Sequence, residues 1–163
     1  IGIVIGIGVC PFLVDNTFRD RLMIGIVIVT HGELGESLIQ TAECVLDGSL
    51  EATTAVSVDL KQNAEQLRKK ISAGLKQVEQ GDGVIILTDM FGGTPSNLSL
   101  SFLEEAKVDV LTGVNLPILI RAEKMRKEKT LGELAQSVQA YGKDSISLAS
   151  DLLKGNKRNS KSD

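Results

Sequence analysis

The chain has 163 residues, a length that one domain accommodates and that can bury about two-thirds of the surface an unfolded chain exposes. Apolar residues make up 42% and charged residues 24%, which excludes bulk disorder, and with 3% aromatics and no Trp the core has to be built from Ile, Val, Leu and Ala. Lys and Arg number 18 against 21 Asp and Glu, a net charge of −3. No basic excess is available to grip a phosphate backbone, so no nucleic acid is expected as a partner.

In chain order, residues 1–14, IGIVIGIGVCPFLV, come first as an uncharged apolar run interrupted by Pro11. Fourteen residues fall short of the roughly 20 that span a bilayer. Met23 opens a second apolar run, so residues 1–22 are expected to be an N-terminal extension outside the functional domain. Cys10 and Cys44 stand far apart in no CxxC spacing, which argues against a disulfide framework or a zinc site.

From Ile24 to Val29 the run is β-branched and continuous, as in a parallel strand buried on both faces. Thr30-His31-Gly32 breaks it. Glu33–Leu46 then has helical apolar spacing, ended by Asp47-Gly48-Ser49. Ala55–Val58 reads as a short strand. Asn63–Glu79 reads as a helix with Asn63 as N-cap and Gln66 completing a capping box. Val84–Leu87 is a strand ending in Thr88-Asp89, followed by the loop Met90-Phe91-Gly92-Gly93. Thr94 is expected as an N-cap and Pro95 as the first helical residue of a helix reaching about Ala106. Val108–Leu111 is a further strand, and Asn115-Leu116-Pro117 opens another helix. Thr130-Leu131-Gly132-Glu133 has the capping-box form and starts a helix through about Tyr141. Ser145–Leu153 is expected to be a last helix, and residues 155–163 a polar, frayed tail.

Short loops and β-α alternation predict an α/β fold: three layers, with an open, mainly parallel β-sheet flanked by helices on both faces. Such sheets bind ligands at the carboxyl ends of their strands, beside a topological switch point. Two loops fall there: Thr30–Glu33 and Thr88–Asn97.

His31, the only histidine of the chain, lies directly after the first domain strand. A strand-end histidine can be purely structural, but imidazole is the side chain that is both nucleophilic and substantially neutral near neutral pH. Asp89 ends another strand at the same sheet edge. It could simply cap a turn; as a partner of His31 it would fix the tautomer and support positive charge on the ring. Gly92, Gly93, Thr94, Ser96 and Asn97 form a loop running into a helix, suited to close backbone approach and to an anion at unpaired N–H groups. No GK[ST] follows the loop, and no GxSxG elbow is present. A single His with no Cys nearby serves a metal poorly, so none is expected. Together the residues suit transient phosphorylation of His31.

Three segments, IGIVIVTHGELGESL, ILTDMFGGTPSNLSL and VLTGVNLPILI, resemble the EIIA component of the mannose-type (mannose/fructose/sorbose) phosphoenolpyruvate-dependent sugar phosphotransferase system. The likeness extends from about Met23 to at least Ala140. The phosphotransfer subunit of dihydroxyacetone kinases shares a strand-His start but lacks the FGGTPSN form. The resemblance implies that His31 is the phosphorylated histidine, carrying the group on Nε2, and that Asp89 holds Nδ1. It implies that Gly92, Gly93, Thr94, Ser96 and Asn97 surround the phosphoryl group. It implies phospho-HPr as donor, an EIIB component as acceptor, membrane EIIC and EIID acting indirectly, a cytoplasmic carrier and a homodimer. No cofactor is required by the scheme. The EIIA-like domain would cover residues 23–154, with EIIB expected on another chain. A regulatory phosphoacceptor and a flavodoxin-like anion-binding module are the alternatives.

Overall fold

The computed structural model describes residues 22–59, 61–151 and 153. The expected N-terminal extension and polar tail therefore lie outside the described residues, apart from Leu22. Four strands form one sheet: β1 (Gly25–His31), β2 (Thr53–Val58), β3 (Val84–Thr88) and β4 (Val108–Thr112), in the order β2-β1-β3-β4. All pairings between them are parallel. The expected mainly parallel sheet is thus wholly parallel among its named strands.

The helices are α1 (Leu34–Leu46), α2 (Ala64–Val78), α3 (Thr94–Leu100), α4 (Leu116–Met125) and α5 (Leu131–Asp144). Strand period 2 splits the core into two halves. Ile26, Ile28, Ile85 and Leu87 face α1, α4 and α5. Val27, Val29, Val84 and Ile86 face α2 and α3. Covered on both sides, β3 is buried throughout and β1 up to its last residue. That burial explains why their sequences carry no polar alternation.

The capping boxes form as the sequence predicts. Asn63 accepts from Gln66 N–H, and Thr130 accepts from Glu133 N–H while Glu133 reaches back to Thr130 N–H. Asn115 caps α4 by accepting from Ile118 N–H.

Four expectations are corrected. β1 runs through Thr30 and His31 instead of breaking there, because β2 extends alongside and pairs with both residues. The N-cap of α3 is Gly93, whose carbonyl accepts from Asn97 N–H at 2.9 Å, so Thr94 is already helical and Pro95 is second. α3 also stops at Leu100, well short of Ala106. There Phe102 N–H turns to Ser99 O and Leu103 N–H to Leu100 O, tightening the chain so that Phe102 packs on the α2 side and β4 can begin. Finally, α5 continues to Asp144 and residues 145–148 are not helical, so the expected last helix is present only at residues 149–151 and 153 among those described. Ile146 and Leu148 are 79% and 66% exposed, so no core surface rewards a helical face at that point.

At the edge of the sheet opposite the candidate residues sits Arg126, 1% exposed. Its Nη2 donates to Glu51 O at 2.5 Å. Its Nη1 lies 3.4 Å from Ile24 O, Ala52 O and Thr53 Oγ1. Glu123 supplies the counter-charge at 2.7 Å. The planar fork thus gathers carbonyls where β1 and β2 begin and ties them to the end of α4. Arg126→Ala should lower the unfolding free energy by about 3 kcal/mol or more, since it strands buried carbonyls and the Glu123 carboxylate. A urea denaturation midpoint within error of wild type would refute this.

Candidate active site

β1 and β3 are neighbours, yet the helices that follow them leave on opposite faces, α1 toward one half of the core and α3 toward the other. The crevice between their carboxyl ends is the switch point. The register ends with Val29 opposite Thr88. One residue beyond Thr88 the chain places Asp89 beside the overhanging end of β1.

Asp89 Oδ2 accepts the backbone N–H of His31 at 2.8 Å and lies 2.7 Å from Nδ1 of the same residue. Its other oxygen, Oδ1, accepts Met90 N–H at 2.8 Å. The Asp89 side chain is 13% exposed and that of His31 37%. A carboxylate accepts only, so this contact puts the ring proton on Nδ1 and leaves the Nε2 lone pair without one.

Gly93 stands against the ring. A Cβ there would lie 3.1 Å from His31 Cε1, the carbon between the two ring nitrogens. Its φ of −81° and ψ of 170° suit any residue, so the close approach, not the backbone angle, favours glycine. The start of α3 is thereby held against the Cε1 edge of the ring. Gly92 has φ +82°, which makes the left-handed turn into this approach. Asn97 Nδ2 donates to Gly92 O at 3.4 Å and braces the turn. Thr94 is exposed at the first helical position. The Thr94 and Ser96 amides precede Asn97, the first N–H to return to a carbonyl within the helix.

Ser96 departs from the expectation of a side-chain donor. It is 0% exposed, and among the described residues its hydroxyl has no partner, nor do those of the equally buried Thr88 and Ser99. Helix α3 turns this face inward, so Ser96 can offer a surface ligand only its backbone N–H. His31, Asp89, Gly92, Gly93 and Thr94 are gathered at one edge, with Asn97 bracing the loop.

On the other side of His31, toward β2, a cleft of about 740 Å³ opens between α1 and the end of β2. Glu33, Glu36, Asp59 and Lys61 line it, with Ser57. Ser57 Oγ is 2.7 Å from Gly32 O and 2.7 Å from Glu36 Oε1. Sequence reasoning missed these contacts. The signal was a serine in the otherwise apolar segment expected as a strand, Ala55–Val58.

Burial pushes the Asp89 carboxyl up, but the His31 N–H, the His31 ring and the Met90 N–H outweigh it and hold the group below its ordinary value of 3.8. A carboxyl lowered by folding adds stability above its unfolded value and loses it as pH falls through the folded one. Wild type should therefore exceed Asp89→Asn in unfolding free energy at neutral pH, and the gap should close below about pH 4. Urea melts at stepped pH measure it, and a gap constant down to pH values near 2 contradicts the assignment.

A family model described as "PTS system fructose IIA component" matches residues 25–139, a span that includes His31, Asp89 and the glycine loop. The fructose-specific EIIA component of Bacillus subtilis (strain 168) is 30% identical over 132 residues, covering 80% of this chain and 90% of that protein. The mannose-specific EIIAB component of Escherichia coli (strain K12) is 32% identical over 127 residues, which is 77% of this chain but 39% of that longer protein. Among solved structures, a phosphotransferase system EIIA component from Streptococcus agalactiae superposes with a TM-score of 0.71 at 25% identity, covering 79% of this chain and 99% of that one. The sheet, the flanking helices and the matched span agree: the chain belongs to the mannose-type EIIA family and is a phosphotransferase component of the sugar phosphotransferase system.

Proposed function

We propose that His31 is a phosphoryl carrier: Nε2 accepts the group from phospho-HPr and passes it to an EIIB component. The observation that carries this reading is the double capture of Asp89 Oδ2 by the backbone N–H and ring Nδ1 of His31, at 2.8 and 2.7 Å. It fixes the ring with its free lone pair turned from the carboxylate. In the transfer, the Nε2 lone pair forms a bond to phosphorus as the bond from phosphorus to the donor breaks. The Nδ1 proton stays on the ring, and Asp89 balances the positive charge that develops there. The backbone N–H groups of Gly93, Thr94 and Ser96 receive the phosphoryl oxygens, and the Thr94 hydroxyl assists. Delivery to EIIB repeats these steps in reverse, so the site has to hold the phosphoryl group without trapping it.

The residues that fold as the carrier domain are 23–154 in this reading, and its sugar is set by EIIB and the membrane components EIIC and EIID. Among the described residues no helix is long and apolar enough to cross a membrane, which fits a cytoplasmic carrier that meets the permease from one side. β4 closes one end of the sheet with one face of its ladder unpaired by any named strand, which suits pairing with a second copy in a homodimer. The family match favours phosphotransfer for sugar uptake over the regulatory and anion-binding alternatives.

Incubation with phosphoenolpyruvate, Enzyme I and HPr should add one acid-labile phosphate to wild type, read by intact mass, and none to His31→Ala. Labelling of that variant would rule out His31, and an unlabelled wild type beside phosphorylated HPr would rule out the carrier reading. Asp89→Asn should keep the fold and slow transfer at least about tenfold, the effect of roughly 1.4 kcal/mol at the transition state. Wild-type quench-flow rates would remove Asp89 from the chemistry.

Gly93→Ala tests the ring contact separately. The backbone accepts alanine, so the urea midpoint should stay near wild type, while the ring has to give by a few tenths of an ångström. Transfer should slow several-fold, and an unchanged rate would mean that the ring yields freely.

A further inference from the structure

We propose that Ser57 is a positioning residue for His31, acting from the neighbouring strand through the Gly32 carbonyl. This rests on the phosphoryl-acceptor reading of His31.

The nucleophile sits at a turn that packing does not hold. β1 ends at His31, and the chain swings into α1 through Gly32, whose φ is +54°. A Cβ built on Gly32 would meet no heavy atom within 4 Å. Glu33 caps α1 with no side-chain hydrogen bond. A turn with open space around a glycine has rotational freedom that only hydrogen bonds can remove.

Two hydroxyls supply them. Thr30 Oγ1 accepts Gly35 N–H at 2.9 Å and fixes the first turn of α1 to β1. Ser57 Oγ reaches Gly32 O at 2.7 Å and fixes the turn itself to β2. Its place is set by register: Ser57 pairs with Thr30 and Val58 with His31. Serine is short enough to meet the carbonyl of the residue that follows the nucleophile.

Glu36 completes the arrangement. Its Oε1 is 2.7 Å from the same hydroxyl, and its Oε2 is buried with no partner among the described residues. A hydroxyl has one proton, and both the carbonyl and a carboxylate accept. Ser57 therefore serves Gly32 and Glu36 in competition, and its hold on the turn is adjustable. Asp89 anchors the ring from the β3 side, and Ser57 anchors the following peptide from the β2 side. Loss of Ser57 leaves the nucleophile held from the β3 side alone, and loss of Asp89 leaves the ring itself without its hydrogen bond.

The test compares wild type, Ser57→Ala and Ser57→Thr, each first shown to be folded by urea denaturation. Single-turnover transfer from phospho-HPr is followed by quench flow, with amide exchange at Gly32 and the ¹⁵N signals of the His31 ring recorded on the unphosphorylated proteins. Ser57→Ala should lower the rate at saturating donor about tenfold, within the range expected when a near-attack geometry is loosened. Its half-saturating donor concentration should not change. Gly32 exchange should accelerate and the ring signals broaden, and Ser57→Thr, which keeps a hydroxyl in a strand, should reverse all three effects.

A wild-type rate with unchanged exchange in Ser57→Ala overturns the proposal. So does a defect confined to the half-saturating concentration, which would make Ser57 a donor contact. Failure of folded Ser57→Thr to recover the rate also overturns it. If wild type is not phosphorylated while HPr is, the acceptor reading fails separately. Exchange and ring signals then decide the tether alone: altered in Ser57→Ala they uphold it, unaltered they reject it.

Discussion

Asp89 Oδ2 receives two groups from one residue, the backbone N–H and the ring Nδ1 of His31. A single contact to the ring would fix its tautomer and leave its direction free. A single contact to the backbone would fix the strand end and leave the ring free. Closing both on one oxygen ties ring direction to strand position, so whatever places β1 and β3 also places Nε2. The electrostatics follow from the same geometry. The carboxyl is largely shielded from water, which opposes its charge, and the converging N–H groups more than reverse that cost. The site thus has a fixed negative group on the inner side of the ring before any ligand arrives, the condition under which electrostatic stabilisation needs least reorganisation.

Both ends of the sheet are tied down, by different means. At the amino-terminal edge Arg126 draws carbonyls of the segments leading into β1 and β2 onto one buried guanidinium. At the carboxyl edge the ties are small: two hydroxyls, a glycine contact and a shared carboxylate. A large buried cation suits a place where nothing has to change. Short hydroxyls suit an edge where chemistry occurs, because a hydroxyl can exchange one partner for another with little movement. The Thr88, Ser96 and Ser99 hydroxyls, without partners among the described residues, lie toward this second edge or under α3, the helix that borders it.

The sequence made the local signals legible and left the distant ones hidden. His31 and Asp89 could be placed at one edge because apolar runs of parallel strands end there, and that needs no knowledge of side-chain contacts. Asn63 and Thr130 were legible as caps because a capping box closes within four residues. Thr94 was misleading for a related reason: a threonine before proline has the composition of a cap, but the approach of Gly93 to the ring starts the helix one residue earlier. Arg126 gave no signal, and Ser57 only that of one polar residue in a short apolar run. Each acts on residues more than 20 positions away, Arg126 at a separation of 102 from Ile24 and Ser57 at 25 from Gly32. Such contacts exist only once strand order is known. The stop of α3 at Leu100 belongs with them, since it depends on where Phe102 packs and where β4 begins.

The separation of 58 residues between His31 and Asp89 also bears on the order in which the molecule assembles. β1 pairs first with β2 along the chain, and that unit carries the histidine with no carboxylate beside it. Only after α2 has crossed over and β3 has docked on the free side of β1 can the ring be captured. Parallel pairing across such a distance demands closure of a long loop before any contact repays it, which makes it a late step in folding. The nucleophile is thus made in the first third of the sheet and becomes oriented only when the middle is complete. A nascent or partly unfolded chain that retains β1, α1 and β2 has an imidazole but no fixed tautomer, and an oriented ring at His31 becomes a mark that β3 has docked.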